Sequence, residues 1–258
     1  MQASFDATGD VIVITGGANG IGAELARRCA QAGATVVVCD VDERAAALLL
    51  LAEPRLRFCR LDVSDRDAVM RAMQSIEAEH GRIDGLVCGA AVQPRREVHA
   101  TEPQAWQKAL AINLDGVVWC YQAVVPGMIR RRRGSVVAFS SGLAHSGWPQ
   151  AAAYASSKAA LGAFVKSAAK EVAQHRVRVN LIAPGVIDTA QYRNANAGND
   201  DAHWANTLGV GHAEDVVGPL MFLLSDAATM TASLLSRDHA YPASEPATEP
   251  PCANRDTP

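Results

Sequence analysis

Short runs of β-branched and apolar residues alternate along this chain with longer segments whose apolar positions recur at helical spacing. The run 11–14, Val-Ile-Val-Ile, is apolar throughout and leads into glycines, the mark of a strand buried on both faces. Residues 21–32 then carry a helical period that stops at Gly33, a residue suited to a helix end. The same alternation predicts strands over 35–39, 56–61, 83–88, 135–139 and 176–182. Helices are predicted over 42–51, 65–80, 102–129 and 152–174.

Strand, helix and strand at this spacing call for parallel strands joined by right-handed helical crossovers. The expected fold class is α/β, a three-layer αβα sandwich around a doubly wound, Rossmann-like parallel sheet in a single domain. That domain is expected over 1–240, with a last strand at 233–236 only weakly signalled. Residues 189–211 are rich in Asn, Asp, Ala and Gly, and a loop this long in a compact domain reads as a substrate lid. Residues 241–258 hold five prolines and little that could be buried, so a disordered tail is expected there.

Composition narrows the function. Of 258 residues, 49% are hydrophobic, which excludes intrinsic disorder for most of the chain. A net charge of −3 gives no field to hold a polyanion, so no nucleic-acid partner is expected. Arg130, Arg131, Arg132 and Arg133 read as a solvated loop before a strand. No stretch offers the roughly 20 apolar residues of a bilayer span, and residues 1–10 lack the basic lead of a secretory signal. A cytoplasmic protein without a membrane partner is expected. Its six cysteines form no close pair, read as small core residues, and show no metal-ligand spacing, so no metal is expected.

The sequence Thr15-Gly16-Gly17-Ala18-Asn19-Gly20-Ile21-Gly22 falls where the first strand meets the first helix. Glycines there allow a tight turn, let backbone N–H groups approach a pyrophosphate, and aim the helix N-terminus at its charge. Gly16, Asn19, Gly20, Ile21 and Gly22 are therefore candidate cofactor residues. Asp40 follows Gly22 by 18 residues at the end of the second strand, where a carboxylate can accept from both hydroxyls of an adenosine ribose and repel a 2′-phosphate. A helix N-cap is the alternative use of that aspartate. With no Arg or Lys in the glycine loop, and Arg44 the only base nearby, the expected cofactor is NAD rather than NADP. Asp62-Val63, after the third strand, sits where a carboxylate could reach the adenine amino group or cap the next helix.

Tyr154 and Lys158 open a long Ala-rich helix, and a spacing of four puts them on one face. A phenol with an ordinary pKa near 10 needs such a cation to move protons near neutral pH. Ser141 follows the fifth strand, where its hydroxyl could hydrogen-bond a carbonyl as negative charge develops. These residues, the glycine loop, Asp62-Val63, Asn113 within Ile112-Asn113-Leu114-Asp115-Gly116, and Asn180-Leu181-Ile182-Ala183-Pro184-Gly185 resemble the short-chain dehydrogenase/reductase family in order and spacing.

The resemblance implies Tyr154 as general acid/base, Lys158 lowering its pKa and holding the nicotinamide ribose, Ser141 positioning the substrate oxygen, and Asn113 keeping a relay water. It also implies Pro184, Gly185, Val186 and Thr189 beside the nicotinamide. The protein would interconvert a secondary alcohol and a ketone, with a small polar or cyclic hydroxylated substrate and a homodimer or homotetramer expected. The alternatives are an NADP-dependent 3-ketoacyl-thioester reductase and a non-catalytic dinucleotide-binding protein. A dimer contact is expected on the helices around 106–129 and 154–173, with Ala159, Ala160, Ala163 and Ala169 either at that contact or against the sheet. Where the family usually has Asn-Asn-Ala-Gly, this chain has Cys88-Gly89-Ala90-Ala91; Ala90 still permits close backbone approach to the cofactor, at some cost in stability. Gln93, His145, Gln150, Gln191 and Trp204 are candidate substrate contacts, with Trp148, Tyr192 and His203 as further pocket residues.

Overall fold

The structure, a computed structural model, describes residues 3–197, 204 and 208–237; the expectations for His203 and for the 241–258 tail lie outside the described residues. Seven parallel strands form one sheet in the order β3-β2-β1-β4-β5-β6-β7. They are β1 (Val11–Thr15), β2 (Thr35–Asp40), β3 (Arg57–Arg60), β4 (Gly85–Cys88), β5 (Gly134–Phe139), β6 (Val177–Ala183) and β7 (Leu234–Ser236). Strand order reverses between β1 and β4, and such a switch point opens a crevice at the carboxyl ends of the strands.

Alternate residues of each strand feed separate cores. Val13, Val37 and Leu86 pack with α3 (Arg66–His80), α5 (Gly116–Arg131) and α7 (Ala152–Val172) on one face. Ile12, Ile14 and Val36 pack with α1 (Gly20–Gln31), α2 (Glu43–Ala52) and α9 (Glu214–Leu224) on the other. Helix boundaries follow local chemistry. The Asp42 and Asp65 carboxylates cap α2 and α3, accepting from the amides of Ala45 and Ala68 at 2.9 Å each. Gly81 ends α3 at φ 77°, a left-handed conformation that glycine adopts without cost.

Three sequence expectations are corrected, and one helix is added. The single helix expected over 102–129 is α4 (Pro103–Leu110), a π-turn (Ala111–Asp115) and α5, because the Asn113 amide is held by the neighbouring loop. The stretch Pro103–Arg131, 29 residues, is long and apolar enough on average to cross a membrane, although no uninterrupted apolar run in it suggests so. Its Val117, Cys120, Val124, Val125 and Met128 are buried in the sheet-facing core. The basic run is not simply a solvated loop: Arg131 pairs with Glu77 at 2.6 Å, and Arg133 with Asp10 at 2.9 Å. Helix α9, carrying Gly218 and Pro219, was not anticipated.

The weakly signalled last strand does form, from Leu234 rather than Ser233. Side chains fasten it: Asn180 donates to the Met230 carbonyl at 3.0 Å and accepts from the Ser233 amide at 3.1 Å, while the Thr231 hydroxyl accepts from the Val179 amide at 3.0 Å. On α7, Ala169 is buried against the sheet, whereas Ala159 and Ala163 are exposed and Ala160 is half-buried.

Candidate active site

A cleft of about 1040 Å³ runs along the carboxyl edge of the sheet, from Asp40 at one end to Tyr154 and Trp204 at the other. Concave sites at this edge are where open α/β sheets bind ligands. Gly16, Asn19, Gly20, Ile21, Gly22, Asp40, Asp62, Val63 and Ala90 line it, as do Pro184, Gly185, Val186 and Thr189.

The glycine loop is built for close approach. Gly16 has φ 65°, and a Cβ there would lie 2.5 Å from the Ala90 backbone nitrogen, so any side chain would push the β1 and β4 loops apart. A Cβ on Gly20 would lie 3.0 Å from the Thr189 methyl, so the segment after β6 meets the glycine loop here. Thr189 caps the short helix α8 (Ala190–Ala195), its hydroxyl accepting from the Tyr192 amide at 3.1 Å. Asn19, at the N-cap of α1, sets no side-chain oxygen on the first turn; its amide donates to Asp42 at 3.2 Å instead. The first-turn amides of α1 thus keep their donors toward the cleft.

Asp40 is not a helix cap, since Asp42 fills that role. Its carboxylate accepts from the Ala18 amide at 3.0 Å and from the Asp42 amide at 3.1 Å, tying the end of β2 to the glycine loop. Its register partner Arg60, and not Arg44, is the base that lines this end of the cleft. Arg60 forms an exposed ion pair with Glu43 at 2.6 Å. Asp62 accepts from the Ser64 hydroxyl at 2.7 Å and the Ser64 amide at 2.9 Å, which holds its carboxyl below the usual range; Lys108 adds to this. Val63 is buried and seats its side chain against Gly116 of α5.

At the other end, α7 brings Tyr154 and Lys158 to one buried face. Lys158 donates to the Phe139 carbonyl at 2.8 Å, and its ammonium stands 5.8 Å from the Tyr154 ring centroid. Burial pushes the Lys158 pKa down to about 8, against an opposing contribution from Cys88. Burial raises the pKa of the Tyr154 phenol, while the Ser141 hydroxyl and then Arg95 lower it. Ser141 also accepts from the Leu143 amide at 3.2 Å, which fixes its rotamer at the mouth of β5.

Asn113 is wholly buried and acts as a bracket. It accepts from the Val92 amide at 2.8 Å, donates to the Val92 carbonyl at 2.9 Å, and donates to the Ser157 hydroxyl at 3.1 Å. The loop after β4 is held to α7 by this side chain. At the positions where the family usually has asparagines, Cys88 completes β4 and the Gly89 amide donates to the Thr15 carbonyl at 3.0 Å.

Among the candidate substrate contacts, Gln93, Gln191 and Trp204 line the cleft. His145 and Gln150 are exposed and do not line it: His145 lies at the end of the short helix α6 (Leu143–Ser146), and Gln150 turns away with φ 63°, its carbonyl accepting from the Arg96 amide. Trp148 and Trp204 stack with centroids 6.2 Å apart, and the Trp204 indole donates to the Tyr192 hydroxyl at 3.0 Å. Arg95, in the loop after β4, lines the same cleft. Sequence reasoning passed over it; the signal available was a cation two residues beyond Gln93 at the carboxyl edge.

Comparison with known proteins agrees with this geometry. The model of the short chain dehydrogenase family matches residues 10–200. Cis-4-hydroxycyclohexanecarboxylate dehydrogenase of Sinomonas cyclohexanicum is 35% identical over 241 residues, covering 90% of this chain and 96% of that protein. The 3-oxoacyl-[acyl-carrier-protein] reductase of Thermotoga maritima is 35% identical over 224 residues, covering 84% and 91%. The crystal structure of levodione reductase superposes with a TM-score of 0.84 at 27% identity, covering 92% of this chain and 98% of that one. The chain belongs to the short-chain dehydrogenase/reductase family. It is an oxidoreductase of alcohols and ketones.

Proposed function

We propose that this protein is an NAD-dependent dehydrogenase that interconverts a small polar or cyclic secondary alcohol and its ketone, with Tyr154 as general acid/base. One observation carries the reading: Ser141, Tyr154 and Lys158 converge at one end of a single cleft whose other end is the glycine loop and Asp40. The residues fit a dinucleotide, because Gly16 lets the β1 and β4 loops close on each other and the first turn of α1, which no side chain caps, opens on the cleft with its amides. Bound NAD would supply the carbon that takes or returns hydride.

The chain's own residues do the rest. The loop from Gly16 to Gly22 holds the pyrophosphate, Asp40 accepts from the ribose hydroxyls, and Asp62 and Val63 flank the adenine. Pro184, Gly185, Val186 and Thr189 pack beside the nicotinamide. Ser141 donates to the substrate oxygen, and Tyr154 takes the hydroxyl proton in oxidation or returns it in reduction. Lys158, cationic at neutral pH with a pKa of about 8, would hold the nicotinamide ribose, while the Ser141 hydroxyl and Arg95 are the groups that favour the phenolate. Asn113 keeps the Val92 loop in place beside them. The name of the Sinomonas relative supports a cyclic hydroxylated substrate. The outward alanines Ala159 and Ala163 support a homodimer or homotetramer joined through α7 and α5.

A second reading, an NADP-dependent 3-oxoacyl-thioester reductase, has behind it the Thermotoga relative and the presence of Arg60 and Lys108 in the cleft. Asp40 weighs against it, and Glu43 already holds Arg60. A binder without turnover would need no phenol and ammonium on one helix face. Tyr154→Phe tests the enzyme reading: turnover falls by about a thousandfold or more while NADH affinity stays within about twofold. Unchanged turnover would defeat it.

A further inference from the structure

Arg95 is the feature of the cleft that the reaction described above does not explain. Its Nε and Nη1 are sealed from solvent and have no hydrogen-bond partner, while Nη2 donates weakly to the Asn196 side chain at 3.3 Å on the lid. It forms no ion pair among the described residues. Arg131, which also has an unpartnered Nε, is a contrast: its two terminal nitrogens are taken by Glu77 at 2.6 Å and by the Ile83 carbonyl at 2.9 Å, as expected of a structural arginine. Arg95 has no such use among the described residues.

Buried polar groups are nearly always satisfied, and a guanidinium cannot escape its charge by losing a proton. Arg95 as a whole is only half-buried and lines the cleft, so a guanidinium with two unsatisfied nitrogens stands where an entering acceptor can reach it. A neutral acceptor would satisfy a hydrogen bond and leave the charge uncompensated; an anion satisfies both. The guanidinium is planar and forked, which matches the two coplanar oxygens of a carboxylate. Arg95 and Tyr154 line the same cleft, so one ligand there can meet the guanidinium with one end and the phenol with the other; the arginine's charge also favours the phenolate. The stacked indoles of Trp148 and Trp204 line the same cleft and offer apolar surface to a ligand's carbon body.

We propose that Arg95 binds a substrate carboxylate, so that the protein acts on hydroxy acids and their keto acids, with the reacting hydroxyl at Tyr154 and the carboxylate at Arg95. The proposal rests on the dehydrogenase reading of the same cleft and deepens it. It makes Arg95 a specificity-determining residue, with Asn196 at the end of α8 as its one side-chain partner among the described residues.

The test uses the full-length protein saturated with NADH and non-reacting probes, so it needs no turnover. Cyclohexanecarboxylate, benzoate and propionate are titrated beside their primary amides, and tryptophan fluorescence is followed because Trp148 and Trp204 line the site. At least one acid is expected to bind about tenfold or more tightly than its amide. Arg95→Gln should weaken that acid by about tenfold or more, leave the amide unchanged, and leave NADH affinity within about twofold; Arg95→Lys should recover part of the acid binding. Acids and amides binding alike in the wild-type protein, or Arg95→Gln leaving acid binding intact, would overturn the carboxylate assignment. Loss of NADH binding in Arg95→Gln would show that the arginine serves the cofactor, and would overturn it too. Failure of the wild-type protein to bind NADH would instead defeat the dehydrogenase reading beneath it.

Discussion

The Asp40 carboxylate accepts the Ala18 amide at 3.0 Å, so the acidic end of β2 and the glycine loop form one unit. The same side chain thus serves two ends. One oxygen shapes the loop that receives a pyrophosphate, and the negative charge stands where an adenosine ribose would lie.

That double role predicts different outcomes for two substitutions. Asp40→Asn keeps an acceptor for Ala18, sets an NH2 against the Asp42 amide and removes the charge, so the preference for NADH over NADPH should fall by about tenfold or more, with a stability loss no larger than that of Asp40→Ala. Asp40→Ala should lose the same preference and also about 1 kcal/mol of stability, because the Ala18 and Asp42 amides lose their partner. Affinities for both cofactors and thermal unfolding of each variant check this; an unchanged NADH-to-NADPH ratio in Asp40→Asn would refute the ribose role.

Lys158 makes the active site unfavourable for the fold. Burial takes its pKa from 10.5 down to about 8, so the folded state gives up this proton more readily than the unfolded state. Between those two values the unfolded chain binds more protons, and stability attributable to this group rises with pH. Relative to Lys158→Met, the wild-type protein should therefore gain about 3 kcal/mol between about pH 7 and pH 10.5. Denaturant titrations of both proteins across that range measure the difference; a constant difference would mean that Lys158 is not desolvated in the fold.

The cysteines are not equivalent. Cys59 on β3 lies in register with Cys39 on β2, and a hydrogen bond from the Cys39 thiol brings its pKa down to about 7. Burial raises Cys29 to about 12, and Cys39 and Cys120 also stand well above the ordinary range. Among the five described cysteines, iodoacetamide near neutral pH should label Cys59 first. Peptide mapping after partial alkylation decides the matter, and equal labelling of Cys29 would contradict the assignment.

Much of this was legible from the chain because parallel strands buried on both faces must read as continuous β-branched runs. Val11–Thr15 and Thr35–Asp40 do so, and the glycine loop between them marks a helix N-terminus open to a ligand. The Tyr154 and Lys158 pair was visible because helical spacing alone puts the two on one face. Helix α9 was hidden because Gly218 and Pro219 look like breakers, although the helix is held by Val216, Val217, Leu220 and Leu223 in the core. The π-turn at Asn113 has no periodic signature; it depends on the Val92 loop, 21 residues away. Arg95 was marked only by its place two residues beyond Gln93; that two of its donors lack partners is a property of the folded cleft and not of any local pattern.

Fluorescence titration of the purified full chain with NADH and, separately, with NADPH measures the central claim most directly, through nicotinamide emission and energy transfer from tryptophan. NADH is expected to bind at least about tenfold more tightly than NADPH, as the Asp40 charge beside an unobstructed glycine loop requires. Tighter binding of NADPH, or no binding of either, would contradict it.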